Sequence, residues 1–151
     1  GLYVSVLTAD CVPMLIWSLE TPVVAAIHSG WQGSALDILG KTLKQMVNET
    51  DASAPSLCMA IGPGLKAQNF EVGPEFALKF AGQYLEPIDT SDRFLFDNDQ
   101  YLRDTAIACG VKAENIEIMP YCSYRDEELF FSHRRDKGTT GRMMSVIGIK
   151  T

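Results

Sequence analysis

Histidine is scarce in this chain: there are two in 151 residues, His28 and His133. Long apolar runs are missing; none approaches the ~18 residues a bilayer-crossing helix needs, so no membrane partner is expected. No basic segment leads into an apolar one at the start, so no secretory signal is visible. The four cysteines (Cys11, Cys58, Cys109, Cys122) form no C-x-x-C pair and no compact framework. Reduced thiols in a cytoplasmic protein are the simpler reading. Cations are in the minority, 13 Lys and Arg against 19 Asp and Glu, a net charge of −6. That balance argues against general affinity for nucleic acid or anionic membranes. There is no internal repeat, low-complexity tract or linker.

What is present fits a globular chain: 46% hydrophobic and 21% charged residues, with enough length for a substantial core. One domain is expected over residues 1–151. It opens on Gly1 and runs directly into the strand-like "LYVSVLT", as if cut inside a larger protein and lacking its N-terminal part. Strands are expected at 3–8, 13–18, 23–28, 57–62, 115–119 and 143–149. Leu36, Leu39, Leu43, Met46 and Val47 recur at helical spacing, with Ser34 placed to cap. Pro74 suits the first turn of a second helix, 74–84. Asp97 or Asp99 caps a third that stops at Gly110. The "YCSYRDEELFFSHRRDKGTTGR" segment is irregular and polar. Strands 13–18 and 23–28 are too close for a helical crossover, so they form an antiparallel hairpin. The fold class is therefore α/β, a mixed β-sheet flanked by helices.

The hairpin register places Pro13 opposite His28. Cys11 is then a diagonal neighbour of His28, roughly 7–8 Å away along the backbone. A one-residue slip reverses the face of His28. Three readings are open at this point. A thiolate and an imidazole are good zinc ligands. Cys11 is alternatively a nucleophile with His28 as its base. Or the pair is a buried cysteine beside a hydrogen-bonded histidine. Asp10 either orients His28 or closes the local turn. Arg134, Arg135 and Arg142, in a Gly- and Thr-rich stretch, are candidate phosphate ligands or surface partners of Asp126, Glu127 and Asp136. Trp31 stacks on a flat ring or packs on the sheet, and Glu71 is a candidate structural acceptor at a helix entry. Cys58, Cys109 and Cys122 read as small core residues.

The elements "TADCVP", "HSGWQG", "IGPG…FEVG" and "FFSHRRDKGTTGR" resemble, in order and spacing, the YfiH-like family. That family carries the names multicopper polyphenol oxidase (laccase-domain) protein, peptidoglycan editing factor and purine nucleoside phosphorylase. The resemblance runs from about residue 3 to the C-terminus. It implies a mononuclear zinc site of one Cys and two His. Cys11 matches the Cys of "A-D-C" and His28 the His of "H-x-G-W"; the remaining His belongs to a "Q-V-H-G"-like element upstream of this sequence. His133 stands where relatives often carry Tyr and is read as a stacking or hydrogen-bonding residue, not a ligand. Gln32 replaces the usual Arg, which weakens anion binding there, and Ser29 replaces Ala. Gly64 stands where some relatives carry Cys or Ala, which suggests that no thiol is needed there.

The resemblance implies phosphorolysis of adenosine, inosine and methylthioadenosine, plus adenosine deamination. Purine nucleoside and phosphate would be the partners and zinc the cofactor, with at least one of the arginines facing the site. Copper at the same Cys/His pair with phenol oxidation is the runner-up, although two histidines cannot build a multi-copper cluster. A cysteine hydrolase or peptidoglycan-precursor editing enzyme is a third reading. An inactive remnant lacking the third ligand is a fourth.

Overall fold

The computed structural model describes residues 1–89 and 91–150. In chain order the elements are β1 (Tyr3–Thr8), β2 (Val12–Ser18), β3 (Val24–Ser29), α1 (Trp31–Ala35), α2 (Ile38–Glu49) and β4 (Leu57–Ile61). There follow β5 (Glu71–Val72), β6 (Leu85–Pro87), β7 (Phe94–Phe96), α3 (Asn98–Ala108), β8 (Ile116–Ile118) and β9 (Met143–Gly148). The main sheet has the order β3-β2-β4-β8, with antiparallel pairs except for parallel β4 and β8. Strand β2 is central because its apolar side chains are needed on both faces; Met14 and Ile16 are fully buried. An antiparallel ribbon of β1 and β9 packs against β3, and β5-β7-β6 form a small separate sheet.

The α/β class and the mixed sheet agree with the expected pattern. So does the hairpin register: Pro13 lies opposite His28 and Trp17 opposite Val24. Pro13 sits at the entry of a central strand, and Gly62 makes room for it. A Cβ at Gly62 would fall 2.8 Å from the proline ring.

Helix α2 lays Leu39, Leu43 and Met46 on the sheet, joined by Leu102 and Ala106 of α3. Its cap is not Ser34. Asp37, in the left-handed region at φ 56°, accepts from Gly40 N. Ser34 is instead buried inside the short α1, and its hydroxyl is spent on other side chains. The break between the helices also leaves Leu36 exposed, outside the apolar stripe.

Asp97 caps α3, and Gly110 follows its end at φ 93°. No continuous helix runs over 74–84. Two 3-10 turns, Pro74–Leu78 and Gly82–Tyr84, flank extended backbone at Ala81. In a second apolar cluster Phe76 and Phe80 pack with Phe70 and Phe96, while Leu78 faces solvent at 89% exposure. Phe76 and Phe80 keep helical spacing; the chain turns extended at Ala81 because Leu85, four residues on, pairs with Phe96 in the small sheet. Cys58 and Cys122 are core residues, whereas Cys109 is half-buried.

Candidate active site

The first cluster holds the sheet and the second holds an aromatic wall; a pocket of about 370 Å³ opens between them and the 133–142 segment. Its lining includes Asp10, Cys11, His28, His133, Arg134 and Arg142. Cys11 lies in the turn joining β1 to β2, and His28 lies one residue before the end of β3. The turn reaches across the strand ends to Gly30: a Cβ there would fall 2.8 Å from Cys11 Sγ. Gly30 is thus required for close approach, not for an unusual φ, which is −80°. The register shows no one-residue slip, and Cys11 and His28 line one cavity.

Asp10 sits in the β1–β2 turn, and among the described residues its side chain bonds neither the turn nor His28. Its backbone is left-handed, φ 84°, a conformation Asp tolerates better than most residues. Its carboxylate accepts from Ser123 Oγ at 2.7 Å and from Arg134 N at 2.7 Å. The residue next to the cysteine therefore ties the β1–β2 turn to the far side of the pocket.

Arg134 continues that link. Its Nη1 donates to the carbonyls of Asn69 and Glu71, both at 3.1 Å, and its guanidinium lies 5.4 Å from the Phe70 ring centroid. Arg142 donates through Nη1 to Thr140 O and Gly141 O. Among the described residues each retains N–H groups with no protein partner. Burial and, next, Asp10 push the Cys11 thiol above its ordinary value, while Arg142 opposes them. An unassisted cysteine nucleophile needs the reverse shift.

Arg135 does not face the pocket. Its donors go to Ser123 O at 2.9 Å, Phe130 O at 3.0 Å and Asp136 Oδ1 at 2.9 Å. The physical reason is that the 121–140 segment has no strand ladder to use up its carbonyls. Thr140 and Arg135 hold the Asp136 carboxyl below the usual range, and Arg125 with the Cys122 amide does the same for Asp126. Lowered carboxyls stabilise the fold fully above the unfolded range, and that stability is lost as pH falls through the folded values. Hydrogen-exchange protection in this segment is therefore expected to hold from pH 7 down to about 4 and to fall below it.

Phe70 and Asn98 were not assigned from sequence, and Trp31 was left between stacking on a flat ring and packing on the sheet. Trp31 lines the pocket and packs on Phe76, centroids 5.2 Å apart, not on the main sheet. Phe70 forms the wall beneath Arg134. Asn98 is 1% exposed yet lines the pocket. Its only sequence signal was polarity at a helix start, which is the ordinary sign of a cap. Glu71 accepts from Arg134 through its carbonyl and pairs its carboxylate with Arg93, with no helix entry behind it.

The donor chemistry of Cys11 and His28 suits a borderline-soft ion such as zinc or copper. Among the described residues no group of three or more His, Cys, Asp or Glu side chains is placed to hold a metal. His133 shares the pocket without completing such a set.

Residues 1–150 match the family model described as multi-copper polyphenol oxidoreductase laccase. The chain belongs to this family. Over 149 residues it is 34% identical to a purine nucleoside phosphorylase of Deinococcus radiodurans, covering 99% of this chain and 58% of that protein. It is 34% identical over 151 residues to the purine nucleoside phosphorylase YfiH of Escherichia coli, covering 97% and 59%. The crystal structure of Bacillus licheniformis YfiH superposes with a TM-score of 0.93 at 27% identity, covering 98% of this chain and 58% of that one. YlmD from Geobacillus stearothermophilus gives 0.89 at 29% identity, covering 99% and 57%. The chain thus spans under two thirds of each relative's length. The family's names point to an enzyme and to a metal-binding type, and do not say which metal. Among the described residues no helix is long and apolar enough to cross a membrane.

Proposed function

We propose that residues 1–151 form the catalytic domain, or the part of it that bears Cys11 and His28, of a zinc-dependent purine nucleoside phosphorylase. Adenosine, inosine and methylthioadenosine are its substrates, and adenosine deamination is a second reaction. The observation that carries this reading is the single pocket in which Cys11 and His28 face Arg134 and Arg142 beside the Trp31 and Phe70 rings.

Each part suits the chemistry. Arg134 and Arg142 offer fixed N–H groups to phosphate oxygens. The rings supply a flat apolar wall for a purine. In phosphorolysis a phosphate oxygen bonds to C1′ of the sugar as the C1′–N9 bond breaks. The electron pair leaves with the base, which takes up a proton. Holding phosphate and nucleoside in line in one pocket is the main contribution the protein's own side chains can make. Cys11 and His28 would hold zinc, and a zinc with three protein ligands requires one donor more than they provide. When bound, the ion supplies Lewis-acid polarisation of an oxygen in the pocket. The family description favours a second reading, copper-dependent phenol oxidation at the same pair.

The deciding experiment incubates the full-length protein and adenosine with and without phosphate and follows adenine. Release that requires phosphate supports the phosphorylase. Phenol oxidation that requires copper, with no nucleoside turnover, overturns it. Arg142→Ala is expected to raise the KM for phosphate about tenfold, the loss of one charge-assisted contact. Arg135→Ala is expected to lower the melting temperature and leave that KM alone.

A further inference from the structure

Asn98 opens α3 and is buried, yet it forms part of the pocket wall. Its Oδ1 accepts from Ser34 Oγ at 2.8 Å. Among the described residues its Nδ2 has no protein partner, and it is not one of the sealed, unpaired atoms. The amide nitrogen therefore opens onto the cavity. A donor placed there without a partner is a built recognition element, because leaving it dry and unpaired is costly.

Behind Asn98 runs a short chain of hydroxyls. Ser34 Oγ lies 3.1 Å from Ser29 Oγ, and either can donate. Ser29 Oγ lies 3.3 Å from the carbonyl of Gly30, to which it can donate. Both serines are buried, at 2% and 0% exposure. Two complete hydrogen-bond arrangements follow from the donor and acceptor inventory of these groups. In one, Ser29 donates to Ser34 and Ser34 donates to Asn98 Oδ1, so the amide N–H faces the pocket. In the other, the amide is turned over. Its Nδ2 donates to Ser34, Ser34 donates to Ser29, and Ser29 donates to the Gly30 carbonyl. The amide oxygen then faces the pocket. Neither arrangement leaves a buried hydroxyl unpaired, so the amide can turn at little cost.

We infer that Asn98, backed by the Ser34–Ser29 hydroxyl pair, reads the 6-position of a purine ring in both chemical states. Its N–H meets the carbonyl of a 6-oxopurine, and its carbonyl meets the amino group of a 6-aminopurine. Asn98 is a specificity-determining residue, and the inference rests on the purine nucleoside reading above. Its place in the pocket favours the ring over the phosphate. Asn98 lies two residues from Phe96, whose ring meets Phe70 at 5.4 Å, and so it adjoins the aromatic wall. The carboxamide is uncharged, which suits a base edge better than an anion.

The test measures phosphate-dependent base release from inosine and from adenosine in the full-length wild-type protein, Asn98→Asp and Ser29→Ala. Asn98→Asp offers acceptors only. It is expected to shift the ratio of kcat/KM values about tenfold toward adenosine. Ser29→Ala removes the acceptor that Ser34 needs in the turned-over arrangement. It is expected to shift the ratio about tenfold the other way, toward inosine. Opposite shifts in the two variants establish the relay. An unchanged ratio in both folded variants overturns it while the phosphorylase reading stands. A wild-type protein that releases base from neither nucleoside overturns that reading and the relay with it. Ser29→Ala, a change of one oxygen, decides the matter where Asn98→Asp fails to fold.

Discussion

Replacing either Cys11 or His28 with alanine is expected to abolish nucleoside phosphorolysis and adenosine deamination together, with zinc content falling in parallel. The two residues come from different strand connections, the β1–β2 turn and the end of β3. They meet only because the hairpin pairs Pro13 with His28. If they share one ion, neither can hold it alone. Changes to groups that merely orient a metal ligand typically cost 10–100-fold, so losing a ligand should cost at least about 100-fold. The readouts are zinc per chain by elemental analysis and turnover of adenosine with phosphate. Full turnover in either variant refutes the assignment. Loss of turnover with zinc retained leaves catalysis to the side chain itself and returns the cysteine-nucleophile reading.

Asp10→Ala carries the second large effect. It strips the acceptor from the Arg134 amide and the Ser123 hydroxyl at once. Two unpaired donors cost about 1–3 kcal/mol each, and alanine is further strained where φ is 84°. A total of about 3 kcal/mol corresponds to a melting temperature lower by about 10 °C in a chain of this size. Arg134 and the turn carrying Cys11 should loosen together, so the KM for phosphate should rise as well. Asp10→Asn tolerates the left-handed backbone but keeps only one acceptor oxygen, so it should fall between wild type and Asp10→Ala in both measurements. Thermal unfolding and phosphate saturation curves provide the check. An Asp10→Ala protein with an unchanged melting temperature would show that the tether contributes nothing.

The parts of the fold legible from sequence were those governed by local period. The apolar run at 13–18, the close link to 23–28 and the i, i+3, i+4 stripe through Leu39, Leu43 and Met46 need only strand or helix geometry to be read. The cap and the 74–84 segment were not legible in the same way. Ser34 has the right side chain for a cap, yet tertiary structure engages its hydroxyl with Asn98. Phe76 and Phe80 keep helical spacing, yet the chain turns extended at Ala81 because Leu85 pairs with Phe96 in the small sheet. Local propensity is a weak force, and tertiary pairing overrides it.

The same division runs through the candidate site. By itself the sequence determined the hairpin register, and with it the meeting of Cys11 and His28, because strand pairing fixes which side chains share a face. It could not separate Arg134 and Arg142 from Arg135. All three are equivalent as letters, but only the folded 121–142 segment decides which guanidinium is used up on carbonyls. Nor could it single out Asn98, whose contacts come from residues 64 positions away. Hydrogen-bond partners of that kind are set when the chain closes on itself, since a polar side chain acquires a role only once burial has removed water as its alternative partner.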